Sequence, residues 1–157
     1  MEKGIIVYVF VALACYIEVS NACDPGWAGF GDSCYKVFKS PVLTWQNARD
    51  HCKHLGNGAH LAIVMSNEEN NFLLNMLRNT QFSDTNMQVW MDGNDLATEG
   101  TFIWEATGEG LEIADWGPNE PNQNGGNEDC LTFFGMYQFH WNDEHCDRKF
   151  PFVCERE

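Results

Sequence analysis

Apolar positions along the chain change their spacing twice, and the changes divide it into three parts. An unbroken apolar run, Ile5 to Tyr16, follows Lys3 and ends before Ser20-Asn21-Ala22. Beyond it the spacing turns helical. In "TWQNARDHCKHL" (44 to 55), Trp45, Ala48, Cys52 and Leu55 share one face, Thr44 stands at the N-cap, and Gly56 and Gly58 follow the end. A second helix starts at "SNEE", where Ser66 caps and Glu69 reaches back to it in a capping box worth ~1 kcal/mol. Its predicted buried stripe is Phe72, Leu73, Met76 and Leu77. From Val89 the helical period is lost. Short apolar pieces ("VWM", "TFIWEA", "CLTFFGMY", "FHWND", "PFVCE") divided by Gly, Asn, Asp and Pro predict short strands. Between about 104 and 129 lies a long irregular loop rich in Gly and Pro, of the kind that carries a function or a staple. Residues 23 to 39, with Trp27, Phe30, Tyr35 and Phe38 among turn formers, predict an N-terminal hairpin.

The first 22 residues have the form of a cleaved signal peptide, and the run is too short to span a bilayer. The expected product is secreted and extracellular, one compact domain over 23–157. Loss of the leader removes Cys15 and leaves six cysteines, at 23, 34, 52, 130, 146 and 154. An even number in an oxidising compartment, without close Cys-x-x-Cys pairs, points to disulfides rather than zinc, with 15 connectivities open. The formal charge of −14 becomes −13 when Glu2, Lys3 and Glu18 depart, leaving 21 acids against 8 bases. Such a surface repels phosphate, so neither nucleic acid nor membrane insertion is expected.

The acids concentrate in the loop. "NEPNQNGGNEDC" (119 to 130) offers Glu120, Asn122, Glu128 and Asp129, and "WND" adds Asn142 and Asp143 behind a strand. Side-chain oxygens at this density suit calcium, a hard cation that takes six to eight oxygen ligands. A cis bond before Pro121 would turn Glu120 and Asn122 to the same side. No catalytic motif accompanies them: G-x-S-x-G and H-E-x-x-H are missing, and His51-x-x-His54 reads as part of a solvated helical face. An enzyme is not expected.

Taken in order, "GWAGFGDSCYKV", "TWQNARDHC", "LAIVMSNEENNFL", "VWMDGNDLATEGTFIW", "WGPNEPN", "NEDC", "WND" and "FVCERE" resemble a C-type lectin domain over nearly all of 23 to 157. The resemblance implies an α+β fold, with two helices, two small antiparallel sheets, a long calcium-binding loop and disulfides Cys23-Cys34, Cys52-Cys154 and Cys130-Cys146. It implies a principal calcium site of Glu120, Asn122, Glu128, Asn142 and Asp143 with Pro121 in cis, and places Trp141 in the core. Two vicinal sugar hydroxyls would complete the calcium shell, donating to Glu120 and Glu128 and accepting from the Asn122 and Asn142 amides. The Glu-Pro-Asn order implies mannose, glucose or N-acetylglucosamine, and no tryptophan stands in 119 to 130 to stack on galactose. An auxiliary calcium would use Asp95, Glu99, Glu128 and Asp129, but Gln123 stands where the family has an acid. "WMDG" departs as well, with Asp92 as a turn residue or hydrogen-bond acceptor.

The function implied is a secreted, calcium-dependent lectin of innate immunity that recognises and agglutinates through microbial surface polysaccharides. Weak single sites would call for a homo-oligomer or a clustered glycan. Two alternatives stand beside it: a calcium-independent protein-binding module, and galactose-type specificity despite Glu-Pro-Asn.

Overall fold

The computed structural model describes residues 23–157 except 83 and 85; the expected leader, 1–22, lies outside the described residues. In chain order the elements are β1 (Ala28–Phe30), β2 (Ser33–Leu43), α1 (Trp45–His54), β3 (His60–Leu61), α2 (Asn67–Asn79), β4 (Gln88–Asn94), β5 (Ile103–Trp104), β6 (Cys130–Phe134), a 3-10 turn (Gly135–Tyr137), β7 (Trp141–Glu144) and β8 (Phe150–Arg156).

Strand order is β1-β2-β8-β4-β6-β7, with β3 added to β8 and β5 to β4. The two antiparallel halves expected from the sequence are joined into one mixed sheet at a single parallel register position, Trp90 opposite Phe152. Both rings are fully buried. Trp90 also donates its indole N–H to the Leu43 carbonyl at 2.8 Å, so the seam is polar-satisfied as well as packed.

Both helices begin where a side-chain oxygen can serve free N–H groups. Thr44 accepts from the Asn47 N–H at 3.3 Å and Ser66 from the Glu69 N–H at 3.1 Å. The capping box is only half made. The Glu69 carboxylate accepts from the Met65 N–H at 2.7 Å and from the Tyr35 hydroxyl instead of returning to Ser66. Tyr35 is buried on β2 and needs an acceptor, which decides the matter. The α2 stripe is also turned by one position: Leu73, Leu74 and Leu77 are buried, while half-buried Phe72 stacks on Phe30 at 5.2 Å. On α1, His51 does not lie on a solvated face. It packs edge-on against Phe38 and Phe152, each at 5.0 Å, while His54 is exposed.

Disulfides join Cys23 to Cys34, Cys52 to Cys154 and Cys130 to Cys146. The second ties α1 to β8 and the third ties the start of β6 to the residue pair after β7. Asp92, on β4, is fully buried and accepts from the Ala106 N–H at 2.6 Å, so it serves as a hydrogen-bond acceptor for the turn after β5. Its neighbour Gly93 has to be small: a Cβ there would stand 2.3 Å from Leu131 Cδ1.

Candidate calcium and sugar site

The long loop is anchored before any ligand is reached. Trp141 opens β7 fully buried, edge-on to Trp104 at 5.9 Å and Trp116 at 6.0 Å. Its backbone takes both ends of a loop segment, donating to Asp115 O at 2.8 Å and accepting from Gly117 N at 2.7 Å. Its indole donates to Asn70 on α2 at 3.0 Å. Asn70 in turn donates to the Asp115 carboxylate at 2.6 Å, whose other oxygen meets His140 at 2.8 Å. Neither Asn70 nor Asp115 is marked by sequence pattern, although a polar residue beside a buried helical stripe is a usable signal.

Beyond this anchor hydrogen bonds link Asn122 to both Glu120 and Asp143, and the charges of Asp143 and Glu128 act on Glu120. Asp143 is fully buried, and its carboxylate accepts from the Asn122 N–H at 3.1 Å to each oxygen and from the Gln123 N–H at 2.9 Å. Glu128 accepts from the Asn124 N–H at 2.6 Å. The Asn122 amide donates to Glu120, and the Glu120-Pro121 bond is cis. Tyr137, which sequence reading passed over, stands near Glu120 on the 3-10 turn, and burial together with Glu120 raises its hydroxyl. Its ring crosses Gly117 so closely that a Cβ there would meet Tyr137 Cδ2 at 2.3 Å.

Electrostatics at this cluster are unbalanced. Burial, then the charges of Asp143 and Glu128, push the Glu120 carboxyl above its ordinary range. Burial also raises Glu128, with Asp143 and Glu144 adding to it. Among the described residues no lysine or arginine pairs with Glu120, Glu128 or Asp143. Three carboxylates with oxygen donors and no lysine or arginine counter-charge, His145 alone easing Glu128, fit a hard divalent cation.

Asn142 is held more tightly than expected. Its amide nitrogen donates to Gln88 Oε1 at 3.2 Å and to the Asp143 carbonyl at 2.5 Å. Both hydrogens therefore have partners within the protein. Glu128, Glu144 and His145 bring one ligand atom each within 4.8 Å of one another. The Glu144 oxygens, however, already accept from Gln88 and from the His145 N–H.

The auxiliary residues are less well assembled. Asp95 is buried and its Oδ2 accepts from the Gly100 N–H at 2.7 Å, while Oδ1 is buried without a partner. Burial raises its carboxyl, with Glu99 and Asp129 adding repulsion. Glu99 itself is exposed. Gln123, where an acid was expected, braces the loop: Oε1 accepts from the N–H groups of Asn127 at 3.0 Å and Glu128 at 3.1 Å, and Nε2 donates to the Glu128 carbonyl at 3.3 Å.

The pattern of the Lectin C-type domain matches residues 42–156. The chain belongs to the C-type lectin domain family. This lectin domain is 37% identical over 134 residues to a lectin of Pleurodeles waltl, covering 85% of this chain and 75% of that one. It is 35% identical over 159 residues to an alpha-N-acetylgalactosamine-specific lectin of Patiria pectinifera, covering 96% and 92%. Among solved structures, the C-type lectin CEL-I of Cucumaria echinata superposes with a TM-score of 0.76 at 27% identity, over 86% of this lectin domain and 97% of CEL-I. Members of the family are carbohydrate-binding proteins, not enzymes, and generally bind calcium. Among the described residues no helix is long and apolar enough to cross a membrane.

Proposed function

We propose that this C-type lectin is secreted and binds sugar through one calcium held by Glu120, Asn122, Glu128, Asn142 and Asp143. The observation that carries the proposal is a set of carboxylates, Glu120, Glu128 and Asp143, whose charges act on one another, braced by the Asn122, Gln123 and Asn124 N–H groups and, among the described residues, paired with no lysine or arginine. Calcium, when bound, supplies a Lewis-acidic centre on which two vicinal hydroxyls complete the shell. Glu120 and Glu128 accept hydrogen bonds from those hydroxyls. Asn122 donates back with the amide hydrogen that Glu120 does not use. Trp141, Asp115 and Asn70 keep the loop in register with β7, so the ligand oxygens need little ordering when the ion arrives.

The Glu-Pro-Asn order favours sugars with equatorial vicinal hydroxyls, in the mannose, glucose and N-acetylglucosamine group. A galactose-type reading is favoured by one observation: the relative that shares 35% identity over 159 residues is N-acetylgalactosamine-specific. A single shallow site of this kind binds with ~mM affinity, so clustered microbial glycans or a homo-oligomer supply the avidity.

A glycan array run with calcium and with EGTA tests the proposal. Retention on mannan or N-acetylglucosamine that EGTA abolishes is expected. Retention on galactose-type sugars alone transfers the specificity to the second reading, and a calcium-independent protein ligand overturns the lectin site.

A further inference from the structure

We infer that Gln88 is the positioning residue that fixes which way the Asn142 amide faces, and with it the hydrogen-bonding pattern offered to the sugar. The inference rests on the role given above to Asn142 as a calcium and sugar ligand.

The argument is one of donors and acceptors. An ionised Glu144 carboxylate only accepts. Its Oε2 stands 2.6 Å from Gln88 Nε2, which sets the nitrogen end of Gln88 toward β7's last residue. Gln88 Oε1 is thereby turned inward, where it accepts from the Thr132 hydroxyl at 2.6 Å and from Asn142 Nδ2 at 3.2 Å. The second Asn142 hydrogen goes to the Asp143 carbonyl at 2.5 Å. Gln88, Thr132 and Asn142 are all buried, at 8%, 0% and 6% exposure, so water does not substitute for a missing partner. A flipped Asn142 would set its oxygen against Gln88 Oε1 and the Asp143 carbonyl, acceptor facing acceptor twice. A flipped Gln88 would set its oxygen against Glu144. Direction therefore passes from Glu144 through Gln88 to Asn142, from β7 to β4 and back to β7.

The consequence is that Gln88, from beneath the site, sets which end of the Asn142 amide is left for a ligand.

The test compares wild type, Gln88→Met, Thr132→Val and Thr132→Ser. Three quantities are read: calcium affinity by calorimetry, the ratio of retention on mannan to retention on immobilised N-acetylgalactosamine, and solvent exchange of the Asn142 side-chain hydrogens by NMR in EGTA. Loss of a partner behind a metal ligand typically costs 10–100-fold in metal affinity. Gln88→Met should therefore weaken calcium by about that factor, release the Asn142 hydrogens to exchange and shift the sugar ratio. Thr132→Val should do the same to a smaller degree, and Thr132→Ser should restore wild-type values. If Gln88→Met does not fold, Thr132→Val against Thr132→Ser carries the comparison. Calcium affinity and Asn142 exchange unchanged in the variants overturn the inference while leaving the proposed function intact. A wild type that takes up no calcium overturns the proposed function, and exchange then decides alone: Asn142 hydrogens protected in wild type and exposed by Gln88→Met support the positioning, and equal exchange overturns it.

Discussion

Two clusters of acids share the loop end of this domain and are held in different ways. Around Asp143, backbone N–H groups of Asn122, Gln123 and Asn124 point into carboxylates, and the amides of Asn122 and Asn142 are fixed by their own partners. Around Asp95 there is one such bond, from Gly100, and a buried oxygen with none. Gln123 accounts for much of the difference. Its side chain spans the turn between the clusters and satisfies three backbone groups. A neutral amide thereby does with hydrogen bonds what a carboxylate would do with an ion. Similar residue types can yield a built site or an incomplete one, depending on where the backbone donors fall.

The largest expected effect follows from breaking the built cluster. Asp143→Asn keeps the shape but removes a charge and one acceptor. Since a residue behind a ligand is worth 10–100-fold, a ligand itself should cost at least ~100-fold in calcium affinity by calorimetry. Unchanged affinity would show that the ion sits elsewhere. Next in size is the stabilisation of the whole fold. Calcium at about 100 times its Kd should add ~2.7 kcal/mol, a rise of several degrees in Tm that EGTA reverses. Asp143→Asn should abolish that rise and Asp95→Asn should leave most of it.

The third prediction concerns the metal-free protein and Asp92, beside the incomplete cluster. Burial pushes its carboxyl up to about 7 from 3.8, with Glu105 adding to the rise. Between those values the folded state holds a proton that the unfolded state has released, so stability in EGTA falls as pH rises through that window, by about 2 kcal/mol once relaxation around the buried group is allowed for. Asp92→Asn should flatten the decline in denaturation curves; an undiminished slope would assign it to other carboxyls. The smallest effect is expected from Gln123→Glu, which keeps both accepted bonds and loses the one donated to the Glu128 carbonyl, at a cost of about 1 kcal/mol. Calorimetric stoichiometry should rise from one calcium to two, the second weak. A count that stays at one would mean that charge is not what the auxiliary site lacks.

Local rules carried much of the fold. Thr44 and Ser66 cap as their side chains require, and the apolar face of α1 buries Trp45, Ala48 and Cys52 as its spacing implies. What local rules could not supply is partners distant in sequence. Glu69 leaves its capping box because Tyr35, on another element, supplies a buried hydroxyl. His51 leaves solvent because Phe152 arrives 101 positions later. The proposed ligand residues around Asp143 were suggested by composition and motif, since calcium asks for oxygens. Gln88, Asn70 and Asp115 could not, because each matters only through a neighbour on a different strand, helix or loop. Gln123 was visible as a departure, but only its three hydrogen bonds say what replaced the acid.

The strand order has a practical side for anyone tethering this molecule. β1 and β8, which carry the two ends of the described chain, lie with β2 in one half of the sheet, while β6 and β7 lie in the other. A surface or fusion partner attached at either end leaves the Asp143 loop at the far edge. A pull between such a tether and a captured glycan then runs sideways across the strands. The register position at Trp90 and Phe152 joins the halves, and Ala62 bridges them by donating to the Val153 carbonyl and accepting from the Asp92 N–H at 2.9 Å each, so the load there is shared by packed rings and these few backbone bonds. Replacing either ring with a smaller one would weaken the domain as a mechanical link without touching a ligand for the ion.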